Sequence, residues 1–122
     1  MTKTKVFVWP GCVVTDSDRE DFKDFFRNEF KMDGEFLAQV ETNPNQDEDG
    51  NEIEDTGGRK DAFFRVTATD EQFGDSKWLT ARMMMGIADW SSARPMLAEK
   101  GMEYIYPESV YEQFPVTEEA EG

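Results

Sequence analysis

The sequence contains no histidine, and that absence removes several kinds of chemistry. Histidine changes charge near neutral pH, is the commonest metal ligand, and is the base in Ser-His and Cys-His catalysis. An enzyme built from this sequence would have to use carboxylates, lysine, tyrosine or the single cysteine, Cys12. Its 27 acidic residues supply every carboxylate spacing by chance, so no catalytic pair stands out. We therefore expect a non-enzymatic protein without a cofactor.

Long apolar runs and cysteine pairs are missing as well. No segment approaches the roughly 18 consecutive apolar residues of a membrane span. The apolar run that follows Lys5 is too short for a signal-peptide core, which takes roughly 7–15 residues. One cysteine excludes an intramolecular disulfide framework and fits a reducing compartment. These absences predict a cytoplasmic protein that does not contact a membrane.

Basic residues are scarce, because 13 Lys and Arg face 27 Asp and Glu for a formal net charge of −14. A field of this sign repels nucleic acid and anionic membrane, and it speeds encounter with basic partners. Many small proteins are acidic for solubility alone, so the charge by itself names no partner. It favours a basic protein or a nucleic-acid-binding protein complex over direct contact with nucleic acid.

The first secondary-structure elements are well marked. Lys5–Trp9 is β-branched and aromatic and precedes a Pro-Gly pair, which predicts a strand. A helix follows, with Thr15 or Ser17 as its N-cap, Ser17 and Glu20 at capping-box spacing, and Gly34 at its end. One face of this helix carries Phe22, Phe25, Phe26 and Phe30. A stripe at this spacing predicts core packing.

The remaining pattern alternates strands and helices. It predicts a strand at 35–42, a strand at 62–68, a helix that starts between 70 and 77 and runs to Trp90, a short helix or turn at 93–101, a strand at 102–107, and one helical turn at 108–114. In the second strand, Phe36, Ala38 and Val40 fall on one face. The order β-α-β-β-α-β predicts an α+β, ferredoxin-like fold: a four-stranded antiparallel sheet with two helices on one face. A different α+β arrangement is the alternative.

Length and aromatic content limit the number of domains that the chain can form. A chain of 122 residues is long enough for one core, and Trp, Tyr and Phe make up 13% of it. We expect a single domain over residues 1–115, with an acidic loop at 43–61 inserted between the second and third strands. Residues 116–122 are expected to be an acidic flexible tail.

The loop at 43–61 carries seven acidic side chains. The first interpretation is a calcium-binding loop. Asn45, Asp47 and Asp49 alternate and a glycine follows them, as in an EF-hand loop. With Asn45 at position one, however, position twelve is Thr56, where a bidentate glutamate is needed, and Asp55 is out of register. The EF-hand interpretation fails. A looser calcium site built from Asn45, Asp47, Asp49 and Asp55 is the alternative.

The end of the same loop, Gly57-Gly58-Arg59-Lys60, offers backbone N–H groups and two cations, the ingredients of an anion nest. It lacks the spacing of a P-loop, and a strand rather than a helix follows it. The interpretation we favour is that the glycines supply positive φ where the chain re-enters the sheet.

Negative-charge mimicry is the third interpretation of the loop. Duplex DNA carries about one charge per 1.7 Å of axis, and its binding proteins line their grooves with Lys and Arg. The loop acids Asp47, Glu48, Asp49, Glu52, Glu54 and Asp55, with Asp18, Asp21 and Asp24 of the first helix, would supply the complementary charge. Trp78 and Met84 would be apolar anchors if they are exposed, and Trp90 is a further candidate. The alternative is a solvated loop without a partner.

Three consecutive methionines, Met83 to Met85, stand in the second helix region. Methionine is adaptable and polarizable, so it suits either the filling of gaps in a core or a pliable partner site. We expect core filling.

From "DGNEIEDTGGRKDAFFRV" through "KWLTARMMMGIADW" to "YIYP", the chain resembles small phage and integrative-element proteins of bacteria that have no assigned activity. The matching residues are Gly50-Asn51, Thr56 to Arg59, Asp61, Phe63, Phe64, Gly86, Ile87 and Trp90. The resemblance implies a mobile-element gene, a context in which small acidic proteins often inhibit host nucleases, restriction or CRISPR systems. It therefore implies an anti-CRISPR or anti-restriction inhibitor. An accessory module with a calcium-binding loop is the alternative.

Overall fold

The computed structural model describes residues 2–42, 60–99 and 105–114. Its elements are β1 (Thr2–Trp9), a 3-10 turn (Asp16–Asp18), α1 (Arg19–Phe30), β2 (Asp33–Glu41), β3 (Lys60–Thr69), α2 (Asp70–Phe73), α3 (Ser76–Met85), β4 (Ala88–Asp89), α4 (Trp90–Glu99) and α5 (Glu108–Gln113). The strands form one antiparallel sheet in the order β2-β3-β1-β4. The prediction of an α+β fold is confirmed. None of the described helices is long and apolar enough to cross a membrane.

The long strand β3 lies between β1 and β2 and pairs with both over nearly its whole length. The fourth strand differs from the prediction, which placed it at 102–107. In the structure β4 pairs only with Phe7 and Val8 of β1. Ile105 and Tyr106 lie in a bend, and residues 102–104 are outside the described ranges. Tyr106 is buried by the rings of Phe63 and Trp90 instead of by strand pairing.

The phenylalanine stripe of α1 packs against the sheet as predicted. Phe22 and Phe26 are buried, and the half-buried Phe25 and Phe30 pack against the same core. The N-terminus differs in detail, because Thr15 pairs with Asp18 instead of Ser17 with Glu20. The Thr15 backbone N–H and hydroxyl both donate to Asp18 Oδ2, at 3.3 and 2.8 Å.

Gly34 does not end α1, so that part of the prediction is wrong. The helix ends at Phe30, and Lys31 takes the left-handed conformation (φ 57°) that closes it. The Lys31 N–H donates to the Arg27 carbonyl at 3.0 Å, as in the αL motif, and the Met32 N–H donates to the Phe26 carbonyl at 3.2 Å. Gly34 lies in β2, where an added Cβ would stand 2.5 Å from the Phe26 ring. Glycine is therefore needed there for close packing.

The second strand changes faces at a β-bulge. The register shifts between Phe36 and Ala38, which leaves Leu37 as the extra residue. Phe36 therefore faces the side of the sheet covered by α1, whereas Ala38 and Val40 face the other side. The prediction that all three share one face is wrong, because one inserted residue reverses the alternation.

The sheet carries a separate core on each face. We call the cluster under α1 and α3 the front core; it includes Phe7, Phe22, Phe26, Phe64 and Trp78. The back core lies under α4 and α5 and includes Val8, Phe63, Trp90, Tyr106 and Phe114. Helical residues thus cover both faces, which differs from the single helical layer that the sequence predicted.

The predicted second helix is divided into several elements. Thr69 caps α2 by accepting from the Gln72 N–H, and Asp75 caps α3 by accepting from the Lys77 N–H. Gly86 ends α3 with a φ of 74°, which few other residues adopt. The chain then enters β4, and α4 begins at Trp90.

Candidate partner-binding surface

The topology brings several segments to one end of the sheet. Trp9 ends β1 opposite Ala62, and Glu41 ends β2 opposite Lys60, where β3 begins. The chain from β1 passes through residues 11–18 at this end before α1 starts. We call residues 11–21, together with Glu41 and Lys60, the acidic end. Residues 43–59 attach to the sheet here, although their own structure is not described.

Acidic side chains dominate the part of this end that precedes and opens α1. Asp16, Asp18, Glu20 and Asp21 are exposed, and none of them forms an ion pair with another described residue. Arg19 is the basic residue among them, and its guanidinium stacks 5.4 Å from the centroid of the Phe36 ring. The negative charge there is therefore largely uncompensated by close cations.

The predicted binding residues of α1 are not equivalent. Asp18 is engaged by Thr15 in the cap, and Asp21 points to solvent in the first helical turn. Asp24 lies about one turn further along and forms an exposed ion pair with Arg27 at 3.6 Å. Its charge is partly offset, so Asp21 is the stronger candidate for contact with a cationic partner.

The buried carboxylate of Asp61 holds the backbone of the acidic end in place. Asp61 is fully buried, and a charge in such a place is tolerated only when it is hydrogen-bonded. Its Oδ1 accepts from the Gly11 N–H at 2.9 Å, and its Oδ2 accepts from the Tyr106 hydroxyl at 2.6 Å. Gly11 itself has a φ of 74°. Asp61 thus joins the turn after β1, the start of β3 and the segment before α5.

Gln39 completes this network on the β2 side. Its Nε2 donates to the Cys12 carbonyl at 2.8 Å and to the Asp61 carbonyl at 3.0 Å, while its Oε1 accepts from the Val14 N–H at 2.6 Å. The backbone of residues 11–14 is therefore held by two side chains from two different strands. This fixes the position from which the acids of α1 project.

Sequence reasoning missed Gln39, Asp61 and Tyr106 as supporting residues. Asp61 was assigned to the acidic loop, but it belongs to β3 and faces inward. The available signal was its place beside Ala62 and Phe63, since an acid adjoining a buried apolar strand needs internal donors. Nothing in the local pattern indicated that Tyr106 would supply one.

Cys12 lies in the same turn and is half-buried. Burial raises the pKa of its thiol above the ordinary value. The thiolate is the nucleophilic form, so this environment lowers the reactivity of Cys12 at neutral pH. The side chain packs on the front core instead.

The structure separates the predicted apolar anchors. Trp78 and Trp90 are buried, so the exposure on which their predicted anchor role depends is absent. Trp78 is a core residue packed by Phe7, Phe26 and Phe30. Met84 is 81% exposed and Met83 is 78% exposed, so the expectation that they fill the core is wrong too. Met85 alone of the three packs on the front core.

The loop candidates lie outside the described residues. These are the partner-binding acids Asp47, Glu48, Asp49, Glu52, Glu54 and Asp55, and the calcium candidate Asn45 with Asp47, Asp49 and Asp55. Their roles stay predictions. In the described ranges, no group of three or more acidic or cysteine side chains is arranged to hold a metal ion.

Three open grooves lie toward the opposite end of the sheet. They surround Lys31, Met32 and the start of β2. Two of them are lined by two carboxylates each, Asp33 with Glu35 and Glu29 with Asp75, and all four residues are exposed. Glu35 accepts from the Arg65 Nε at 2.7 Å. The carboxylates in these grooves are therefore in contact with solvent.

Comparison with protein-family models, with curated proteins and with solved structures gives no match to this chain. The resemblance to phage and integrative-element proteins therefore stays a prediction. Several residues that carry it are structural in the described chain: Asp61, Phe63, Phe64, Ile87 and Trp90 are all buried. These motif positions build the fold, and the exposed acids beside them are the better candidates for a binding role.

Proposed function

We propose that this chain is a non-enzymatic acidic binding protein that contacts a basic, nucleic-acid-binding protein by negative-charge mimicry. The observation that supports it most is the meeting of two acidic segments at one end of the sheet. Asp16, Glu20 and Asp21 project from the start of α1, and residues 43–59 join the sheet at the same end. The structure describes only the first of these segments, and there Asp16, Glu20 and Asp21 are exposed without an ion pair to another described residue.

Rigid support is what distinguishes this surface from a merely acidic tail. Asp61 and Gln39 hold the backbone of residues 11–14, and the Thr15–Asp18 pair starts the helix. Charges held in place lose little freedom when a partner binds, so more of their attraction appears as affinity. Their field also speeds encounter with a cationic groove.

The biological setting of the proposal is an inhibitor that acts in the cytoplasm on a host defence enzyme of the restriction or CRISPR type. Its support is the resemblance to mobile-element proteins together with the acidic surface. A groove that binds DNA through Lys and Arg would accept the acidic end in place of the phosphate backbone. Blocking of the groove then requires no chemistry from this chain.

The fold that we propose is more specific than the α+β class. We infer a ferredoxin-like arrangement of β1, α1, β2, β3, α3 and β4, and the strand order β2-β3-β1-β4 with antiparallel neighbours supports it. In this arrangement α4 and α5 are additions on the back face. A fold of this kind hosts many functions and carries no argument for a particular one.

The test begins with capture of partners from a host lysate at low salt and elution in a salt gradient. The informative comparison is between two triple variants that change the net charge equally. Asp16→Asn, Glu20→Gln and Asp21→Asn neutralise the acidic end, whereas Glu29→Gln, Asp70→Asn and Glu71→Gln neutralise exposed acids toward the other end. We expect the first variant to bind the captured protein about tenfold more weakly at low salt, with a smaller salt dependence, and the second to bind nearly normally.

Acids in a first helical turn also stabilise the helix through its dipole, so the unfolding of each variant must be measured beside its binding. A loss of binding that follows a loss of fold says nothing about charge. Equal weakening by both folded variants would indicate a general charge effect without a defined surface. Affinity that is indifferent to salt and to both variants would overturn the proposal.

A further inference from the structure

Helix α3 carries apolar side chains on its buried side and also on part of its exposed side. Its inner side buries Trp78 in the front core. Its outer side repeats at the spacing i, i+3, i+4, i+7 and i+8 and consists of five exposed residues that we call the α3 strip: Ser76, Leu79, Thr80, Met83 and Met84. Leu79 is 44% exposed, and both methionines are exposed by more than three-quarters. Neighbouring exposed apolar side chains such as Leu79, Met83 and Met84 mark a candidate interaction surface.

The charge of this region is opposite to that of the chain. The strip contains no charged residue, although 33% of the chain is charged. From Ser76 to Ala88 the sequence has two bases, Lys77 and Arg82, and no acid. A basic protein attracted by the acidic end meets no attraction here. The strip therefore favours an occupant that is itself uncharged at the contact.

A second copy of the chain presents such a surface. We propose that this protein forms a weak two-fold dimer in which the α3 strips of two copies pack against each other. A self-complementary contact of this kind is isologous and closes, so it covers the strip on both molecules at once. Ser76 and Thr80 are small enough for the helices to approach, and methionines adapt to an imperfect fit.

The size of the strip sets the strength of the dimer. A helix of 10 residues is about 15 Å long. Two such strips bury on the order of 1,000 Å² in total, which is the lower limit for a specific interface. The dimer is therefore expected to dissociate in the micromolar range, not to be permanent. The strip contains none of Asp16, Glu20 and Asp21, so the dimer is compatible with the proposed partner binding but does not depend on it.

Added salt should change the affinity of self-association and the affinity of partner binding in opposite directions. Two chains of net charge −14 repel each other, and added salt screens that repulsion. Self-association through the uncharged strip should therefore strengthen as salt rises from about 0.05 to about 0.5 M. Binding of a basic partner at the acidic end should weaken over the same range.

The experiment is sedimentation equilibrium of the full chain at both salt concentrations, with Met83→Lys as the test variant and Met96→Lys as the matched control. Met96 is also exposed, at 43%, but lies on α4. The substitution at Met83 occurs twice in a two-fold interface, so we expect it to weaken dimerisation about tenfold or more. The control should dimerise like the wild type.

Three results would overturn the inference. One is a wild-type chain that stays monomeric at both salt concentrations, and another is a dimer that Met83→Lys leaves intact. The third is a monomeric chain whose captured basic partner is lost in Met83→Lys, because the strip would then belong to the partner interface. Failure of the charge variants at the acidic end leaves the dimer test unaffected.

Discussion

The two faces of the sheet are held together in different ways. The front core is almost wholly aromatic and aliphatic, and Trp78 at its centre has no hydrogen-bond acceptor for Nε1 among the described residues. The back core has polar links at its centre. Trp90 donates from Nε1 to the Phe114 carbonyl at 2.6 Å, and Tyr106 donates to Asp61. Two tryptophans of nearly equal burial thus have different environments.

The difference reflects how each core is assembled. Around Trp78, the rings of Phe7, Phe26 and Phe30 lie at 5.2 to 6.0 Å in edge-to-face arrangements, which favour the positive edge of one ring against the face of another. A π face also accepts an N–H weakly. The back core instead gathers the ends of α4 and α5 and relies on directed hydrogen bonds to align them. The front core therefore depends on the packing of its rings, and the back core depends on specific hydrogen bonds.

Removal of the Phe26 ring from the front core should have the largest effect on stability. Phe26 is fully buried and contacts Phe22, Phe64 and Trp78. We expect Phe26→Ala to lower the free energy of unfolding by about 3–5 kcal/mol, measured by denaturant titration. Phe25→Ala is the matched control on the same helix, and because Phe25 is only half-buried its cost should be clearly smaller. Equal costs would show that packing at Phe26 is not what holds the front core.

The front core is the part that the sequence predicts well. Its phenylalanines recur at helical spacing in one short segment, so the buried face of α1 can be found without knowledge of its partners. The two departures from the prediction arise from local backbone geometry. Lys31 closes the helix where a glycine was expected, and the bulge at Leu37 reverses the faces of β2. Neither leaves a mark in the hydrophobic pattern.

Loss of the buried carboxylate should have the next largest effect. Asp61→Ala removes the acceptor for the Tyr106 hydroxyl, which is buried, and for the N–H of Gly11, which is exposed. A buried group that loses its partner costs about 1–3 kcal/mol, so we expect the free energy of unfolding to fall by about 1–3 kcal/mol. Asp70→Ala removes an exposed carboxylate whose ion pair with Lys3 is worth at most about 1 kcal/mol, which makes it the control.

A measurement of partner binding would show whether this network also positions the acidic end. If the network positions the acidic end, the milder variant Asp61→Asn should weaken binding while the chain still unfolds cooperatively. A variant that loses stability but keeps full affinity for the partner would show that the network serves the back core alone.

The back core and the acidic end were largely beyond the reach of sequence reasoning. Phe63, Trp90, Tyr106 and Phe114 are far apart in the chain, and only the tertiary structure shows that their rings meet. The acids of α1 were predicted, but their position beside the attachment points of residues 43–59 follows from strand pairing between Glu41 and Lys60. Long-range pairing is set by the whole fold, so no local pattern contains it.

The two tryptophans offer the most direct comparison of the cores. Trp90→Phe removes ring volume and also the donor to the Phe114 carbonyl, whereas Trp78→Phe removes ring volume only. We therefore expect Trp90→Phe to be the more destabilising, by about 1–2 kcal/mol beyond Trp78→Phe, because a buried carbonyl loses its partner. Denaturant titrations of both variants provide the measurement. Equal losses would show that the hydrogen bond contributes nothing beyond packing.

The smallest effect should appear at Cys12, where the front core meets the network of Gln39 and Asp61. Burial raises the pKa of the thiol in the folded chain above its ordinary value of 9.0. The stability that comes from the neutral thiol is therefore complete below pH 9.0 and is lost as the pH rises through the higher folded pKa. At pH 8 the folded chain should react with iodoacetamide more slowly than the unfolded chain, because a smaller fraction is thiolate.

The same reaction reports on the network. Gln39→Ala removes the donor to the Cys12 carbonyl, so the turn should open more often and the thiol should react severalfold faster. Glu35→Ala, an exposed change in the same strand, is the control and should leave the rate unaltered. If Gln39→Ala reacts at the wild-type rate, packing on the front core is sufficient to hold Cys12. The acidic end would then be positioned from the front core alone, and the polar network would belong only to the back.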